Sequence, residues 1–356
     1  MSNQYSFSVW KLNGNEEKYQ KRLERSKQIS PYHTVEYLLA EQKAECYGVQ
    51  IAEIIDETGG FQCIPLVIRR INDLPYMSDL PEIYYDLITP HEYSAIIGNG
   101  NECMQNMLLL NLRKYCQKNN IVFQFYRINP YFSEQENVYK KAGYQVVHSN
   151  NQICVNLKRE RDEIEKDYKS NVRRNIRRAE KENLVFEIAE TSIENVMIFV
   201  RMYQRAMDIL QARKFLYFNL EYFNRLITLR ESKLAFVRNI EGNVIAAGIM
   251  LLDDKERIVY YHLGCFDRAY TLVRPMNFLM HSMIMWSREQ GFEIFHLGGG
   301  GKSLLQFKAG YSKDTINYYI AYDESMKDEY RKIGEYWKKR YPEEATSFMP
   351  VYRNNE

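Results

Sequence analysis

The stretch HLGGGGKSLLQFKAGYS, residues 296–312, holds the densest set of groups able to do chemistry. Four consecutive glycines, Gly298, Gly299, Gly300 and Gly301, follow a β-like run and permit backbone conformations and close approaches that a Cβ forbids. Amides exposed in such a turn can cradle an oxyanion or a phosphate beside the short helix that follows. Lys308 falls on that helix, where its charge can point back at the glycine turn. Attack of an amine on an activated carbonyl passes through a tetrahedral oxyanion, and a preorganised cation or amide pair stabilises it. A glycine run alone would suit a flexible turn beside a solvated lysine. The run, the lysine and the internal repeat they belong to point instead to acyl transfer, with Lys308 catalytic.

The other candidate groups are cationic or imidazole. Between Lys166 and Lys181 lie seven cations, Arg173, Arg174, Arg177 and Arg178 among them, against two acids, Asp167 and Glu180. Such a helix face can hold a phosphate of a tRNA acceptor stem, or of an undecaprenyl- or nucleotide-linked sugar. It can equally be a solvated face with its acids as i,i+4 partners. The six histidines (His33, His91, His148, His262, His281 and His296) show no metal-ligand spacing, and no metal site is expected. His262 and His296 occupy matching His-Leu-Gly contexts at two strand ends. Either can relay a proton or serve as a hydrogen-bonded structural group. No GxSxG or HExxH motif is present.

The elements that must position these groups occur twice. Lys-Ala-Gly-Tyr stands at 141–144 and again at 308–311. Before the first copy the spacing of Met104, Leu108 and Leu112 predicts a helix over 102–117, followed by the strand IVFQFYR and a short helix. Before the second, a helix opens at Pro275 and stops at Gly291, followed by the strand EIFHL and the short helix with LLQFK. Each copy is succeeded by a β-like run, YQVVH or INYYIAY. Upstream stand VQIAEII and FQCIPLVIRR in one half, and KLAFVRN, NVIAAGIMLLD and RIVYYHLG in the other. The expected class is therefore α/β, a mixed sheet with flanking helices, in two domains. The expected seam lies where ICVNL meets KRERDEIEK, giving residues 1–158 and 159–356. In the following helix Ile164, Tyr168, Val172 and Ile176 recur every fourth residue as a packing face.

Composition sets the outer limits. A chain of 356 residues with 45% hydrophobic and 26% charged residues is an ordinary folded protein, long enough for two cores. A formal charge of +2 names no partner, so any anion site must come from local clustering. Cys46, Cys63, Cys103, Cys116, Cys154 and Cys265 form no CxxC pair and read as buried thiols in a reducing compartment. The start, MSNQYSFSVWKLNGNEEKY, lacks the basic and apolar regions of a signal peptide, and no run reaches membrane-spanning length. The expected location is the cytoplasm. The 29 tyrosines could stack on sugars or bases, or simply pack cores.

Residues 261–312, YHLGCF through RPMNFLMHSMIMWSREQGFEIFHLGGGGKSLLQFKAGYS, resemble the GNAT/Fem-like acyltransferase superfamily, which includes peptidoglycan-bridge aminoacyltransferases and acyltransferases of polysaccharide clusters. YKSNVRRNIRRAEKENL resembles its basic helix, MYQRAMDILQARKFLYFNLEYF its helix pair, YYDLITPHEYSAII its Tyr-Asp…Pro-Tyr-Gly-Tyr segment, and FYRINPYF its Arg…Pro strand end. The resemblance implies two tandem GNAT-like domains with Lys308, the lysine of the Phe-Lys-x-Gly motif, at the transfer centre of the second. It further implies Phe307, Arg274 and Tyr217 beside the glycines as donor contacts, and Asp86, Tyr93 and Arg127 as acceptor contacts in the first domain. Two departures stand out. Pro90-His91-Glu92-Tyr93-Ser94-Ala95 replaces Pro-Tyr-Gly-Tyr-x-Gly. FDRAYTLVRP has no glycine where a GNAT enzyme carries its pyrophosphate loop, while Gly98-Asn99-Gly100 in the first half is a partial match.

The function implied is transfer of an aminoacyl or acyl group to an amino group of a cell-envelope precursor or sugar. The acceptor would be a small molecule or a lipid- or nucleotide-linked sugar. The donor would be aminoacyl-tRNA or acyl-CoA as co-substrate, with no covalently bound cofactor. Alternatives are an acyl-CoA-dependent N-acetyltransferase, or a non-catalytic module binding a nucleotide sugar or RNA.

Overall fold

The computed structural model describes residues 5–45, 47–132, 134–344 and 348–354. The chain forms two compact units: Met1–Ser149 with Tyr318–Glu356, and Asn150–Asn317. In chain order the first half contributes β1 (Ser6–Lys11), α1 (Glu16–Arg25), α2 (Val35–Glu45), β2 (Val49–Ile55), β3 (Phe61–Arg70), β4 (Tyr85–Ile88), β5 (Ile97–Gly98), α3 (Glu102–Lys118), β6 (Ile121–Arg127) and α4 (Gln135–Lys141). There follow β7 (Gln145–Asn156), α5 (Arg161–Asp167), α6 (Ser170–Lys181), β8 (Val185–Ile188), α7 (Ile193–Leu210), α8 (Leu220–Thr228), β9 (Ser232–Arg238), β10 (Val244–Asp253) and β11 (Ile258–Phe266). Last come α9 (Pro275–Glu289), β12 (Ile294–Gly298), α10 (Lys302–Lys308), β13 (Thr315–Asp323) and α11 (Lys327–Arg340).

Each unit repeats one plan. In the first unit the strands run β1-β2-β3-β4-β6-β13, antiparallel except for the β4–β6 pair, which α3 connects. In the second they run β7-β12-β11-β10-β9-β8, antiparallel except for β11–β12, which α9 connects. A parallel pair needs such a crossover helix, and both sit where the periodicity placed them. Asn101 caps α3 by accepting from the Met104 amide, and Met104, Leu108 and Leu112 face the core. α9 opens on Pro275 and is stopped by Gly291 at φ 80°; Leu279, Met280, Met283 and Ile284 fill the second core.

The unit boundaries differ from a cut at 158/159 because the last strand of each half is exchanged. The run after α4 continues into the second unit, where residues 153–156 pair with β12. The run after α10 returns to the first unit, where residues 320–323 pair with β6. α11, which carries Ile333 and Trp337, then packs on Val122, Phe123 and Tyr352 of that unit. The helix expected to hold Ile164 through Ile176 is two helices: Tyr168 and Lys169 are extended (ψ 137° and 150°), although all four apolar residues remain buried. Among the cysteines Cys63, Cys116 and Cys265 are buried, but Cys103 is exposed and Cys154 half-buried. Cys46 lies outside the described residues.

Four histidines are buried neutral. Burial lowers His33 and His281 to about 4, and His91 and His296 to about 3. Between these values and the ordinary value near 6.5 the unfolded chain binds more protons than the folded one, so stability must fall as pH drops through that window. Thermal melts at pH 7.5 and 5.0 should show a lower melting temperature at pH 5.0, with little change between pH 7.5 and 8.5.

Candidate active site

In the second unit β11 and β12 pair at only three positions, Ile258–Tyr260 against Ile294–His296. β11 then runs on to Phe266 while β12 ends at Gly298, whose φ of 74° turns the chain away. The strands separate there, and the glycine turn carries the chain into α10. The KAGY lysine at the end of that helix is turned inward: Lys308 is 6% exposed, and its Nζ donates to the Gly299 carbonyl at 2.6 Å. The ammonium also lies 5.5 Å from the centre of the Tyr261 ring.

The same tetrapeptide in the first unit behaves otherwise. Lys141 ends the corresponding helix α4, its side chain is 61% exposed, and it pairs with Glu102. The tyrosines do match. Tyr144 donates to the Leu109 carbonyl on α3, and Tyr311 bonds Asn277 on α9, accepting from Nδ2 at 2.8 Å. The repeat thus shares its scaffold and differs at the lysine.

Beside Tyr261 opens a cavity of about 330 Å³ lined mostly by apolar groups, including Met207, Leu210, Phe266, Met276, Leu304 and Phe307. Arg268 and Arg274 bring positive charge to it, and Arg274 Nε is buried with no hydrogen-bond partner among the described residues. A Cβ on Gly264, also in the wall, would meet the Tyr261 hydroxyl at 2.1 Å, so only glycine leaves that hydroxyl its place. The segment before α9 offers few amides. Residues 268–273 form a 3₁₀ helix in which the Ala269, Tyr270 and Arg274 amides are used internally. Pro275 has no N–H, and the Asn277 and Phe278 amides return to the Arg274 carbonyl.

The structure sorts the residues expected from sequence. Lys308, Phe307 and Arg274 gather at or beside the cavity. Gly298, Gly299, Gly300 and Gly301 do not line it; the turn aims a carbonyl at Lys308 instead of amides at a ligand. Tyr217 is 40% exposed and hydrogen-bonded to Asp208. His296 is fully buried beneath the site with Tyr260, and burial together with the Lys308 charge keeps it neutral. His262, the neighbour of Tyr261 in β11, meets the Tyr222 hydroxyl of α8 through Nε2 at 3.2 Å. Tyr261, Gly264, Arg268 and Met207 were not foreseen. Tyr261 does stand beside His262 in sequence, but only the strand's alternation says which of the two faces the cavity.

In the first unit Asp86 is fully buried, with Arg69 Nε at 2.9 Å and Arg353 Nε at 2.5 Å. Burial would raise its carboxyl, but the two arginines outweigh that and hold it below the ordinary range. Its charge is satisfied without any acceptor. Tyr93 is buried between Tyr32 and Tyr318. Arg127 donates to the Thr89 carbonyl at 3.1 Å. Glu92, standing where the resembling motif has glycine, keeps the left-handed turn at φ 63°. On α6, Val172, Ile176 and Ala179 face the core. Arg173 donates to the Lys166 and Tyr168 carbonyls. Arg174, Arg177 and Arg178 are exposed and make no ion pair among the described residues.

Residues 166–309, which include the split strands, the cavity and Lys308, match the family model for the acetyltransferase (GNAT) domain. The second unit carries a GNAT-type acyltransferase domain. Solved structures extend the likeness over nearly the whole chain. FemX is 11% identical with a TM-score of 0.63, covering 86% of this chain and 95% of its own. The domain assigned as the C-terminal domain of an Agrobacterium fabrum lysylphosphatidylglycerol synthetase is 16% identical with a TM-score of 0.61, over 89% of this chain and 95% of that one. L-PGS from Bacillus licheniformis is 15% identical with a TM-score of 0.56, over 86% and 91%. At these identities the likeness establishes the fold. None of the curated proteins compared matches the chain in sequence. The GNAT fold accounts for the splayed β11–β12 pair, and the chain as a whole is a tandem arrangement of such domains. Among the described residues no helix is long and apolar enough to cross a membrane.

Proposed function

We propose that this GNAT-type acyltransferase moves an aminoacyl or acyl group onto an amino group of a cell-envelope precursor or sugar, by direct attack and without a covalent enzyme intermediate. The single observation that carries the reading is the buried Lys308 at the split of β11 and β12, against its exposed counterpart Lys141. The acceptor nitrogen attacks the donor carbonyl, the oxyanion develops beside the Lys308 ammonium, and collapse expels the donor's leaving group. Holding a cation there before reaction is what lowers the barrier. His296, neutral and buried, is a positioning group under the lysine in this scheme, and Asp86, Tyr93 and Arg127 remain candidate acceptor contacts in the first unit.

The segment before α9 supports an aminoacyl donor over acyl-CoA. Its amides are spent within a 3₁₀ helix, and positive charge comes from Arg268 and Arg274 side chains. The name lysylphosphatidylglycerol synthetase, borne by two proteins of like fold, supports the same choice. The family-model match favours the second reading, an acyl-CoA N-acetyltransferase. Arg268→Ala and Arg274→Gly test the donor cavity; glycine is chosen at 274 because the residue sits at φ 60°. Each should raise the donor KM by about 10-fold or more with kcat little changed, the effect of losing one charge-assisted hydrogen bond in uniform binding. Unchanged KM in both variants would move the donor elsewhere.

A further inference from the structure

The first unit has its own cavity, of about 640 Å³, beside the N-terminus of α3 and against α4. Nothing in the transfer scheme uses it. In its wall lies Gln62, 2% exposed, whose Oε1 has no hydrogen-bond partner among the described residues. An amide group is rarely buried with its acceptor unmet unless something else supplies the donor. The space in front of it is kept open by glycines. A Cβ on Gly98 would come within 2.9 Å of Gln62 Oε1 and 2.2 Å of the Phe61 carbonyl, and one on Gly100 within 3.2 Å of Gln62 Nε2. The two ends of the amide therefore sit side by side against a cradle that any side chain would fill.

Charge in the same cavity suits an anion. Lys27, Lys140 and Lys141 line it against Glu102 and Glu134, and Lys141 is already paired with Glu102. Lys27 Nζ reaches the Gly100 carbonyl at 3.2 Å, so its charge lies at the glycine turn. α3, seventeen residues long, starts at this turn and directs its positive end there.

We infer that this cavity is a second ligand site, taking a nucleotide whose base edge pairs with the Gln62 amide and whose phosphates lie by Lys27, Lys140 and the start of α3. A nucleobase edge offers a donor and an acceptor side by side, the complement of a carboxamide. The volume falls within the range of small-molecule sites. The proposal is independent of the transfer reading, because equilibrium binding decides it without turnover.

The test is calorimetric titration of the full chain with UDP, ADP and inorganic pyrophosphate, using wild type, Gln62→Leu, and Lys27→Ala/Lys140→Ala. At least one nucleoside diphosphate should bind. Gln62→Leu should weaken it about 10-fold, in line with losing a hydrogen-bonded pair, while leaving pyrophosphate unaffected. The double lysine variant should weaken all three and make binding less salt-dependent. The preferred base is read from UDP against ADP. Because Gln62 has an unmet acceptor, Gln62→Leu should not lower the melting temperature; a purely structural glutamine would. Absence of binding by both nucleotides at millimolar concentration, or unchanged nucleotide affinity in Gln62→Leu and in the lysine variant, overturns the site.

Discussion

Lys308→Met will lose about 10²–10³ in kcat, the usual consequence of removing one oxyanion donor, while the protein stays folded. Methionine keeps most of the volume of a side chain that is 6% exposed, so no large cavity opens. The Gly299 carbonyl loses its donor, which costs about 1–3 kcal/mol and should appear as a modest fall in melting temperature. Lys141→Met is the matched control, since its partner Glu102 is exposed and such pairs contribute little. It should leave turnover unchanged. A spectroscopic readout follows from His296, whose value of about 3 reflects burial first and the Lys308 charge second. In Lys308→Met its imidazole should titrate at higher pH, visible by NMR, which a merely remote lysine could not cause. Near-full turnover in a folded Lys308→Met protein would remove the residue from the mechanism.

If the donor is aminoacyl-tRNA, the triple variant Arg174→Ala/Arg177→Ala/Arg178→Ala will flatten the salt dependence of tRNA binding by about 2–3 units of slope, about 0.7–0.9 per phosphate released. Arg173 is left in place because its guanidinium holds the carbonyls at the end of α5. The other three make no ion pair among the described residues and stand opposite the face that packs through Val172, Ile176 and Ala179. Their removal should therefore barely move the melting temperature. Binding of a small acyl-CoA should also be unaffected, because none of the three lines the donor cavity. Affinity measured at two salt concentrations decides the matter. An unchanged slope would mean that the basic face is merely solvated.

Much of the scaffold was readable from local pattern. VQIAEII and IVFQFYR are β2 and β6 residue for residue, because runs of β-branched and aromatic residues between turn signals have few other uses. The crossover helices were marked by their apolar spacing and by Pro275 and Gly291. The strand exchange was hidden, since YQVVH and INYYIAY are equally strand-like and neither says which sheet will take it. Ile333 and Trp337 stand four apart on α11, a signal that was there but went unread. At the site, the two KAGY copies are identical, so the burial of Lys308 against the exposure of Lys141 could not come from the tetrapeptide. It comes from the Gly299 carbonyl and Tyr261, nine and forty-seven positions away. FDRAYTLVRP could be read only as lacking glycine; that its amides close on themselves is a property of the 3₁₀ helix.

The central claim is amine acylation at the Lys308 site, and product mass tests it most directly. The full chain is incubated with pooled aminoacyl-tRNAs or a panel of acyl-CoA thioesters, against amino sugars, a UDP-linked amino sugar and a lipid-linked peptidoglycan precursor. Mass spectrometry then follows both the acceptors and the protein. The account predicts an acceptor heavier by one aminoacyl or acyl residue, formed by wild type and Lys141→Met, nearly lost in Lys308→Met, with the protein itself unmodified. An acylated enzyme that forms and decays during turnover, or equal product from Lys308→Met, would contradict it.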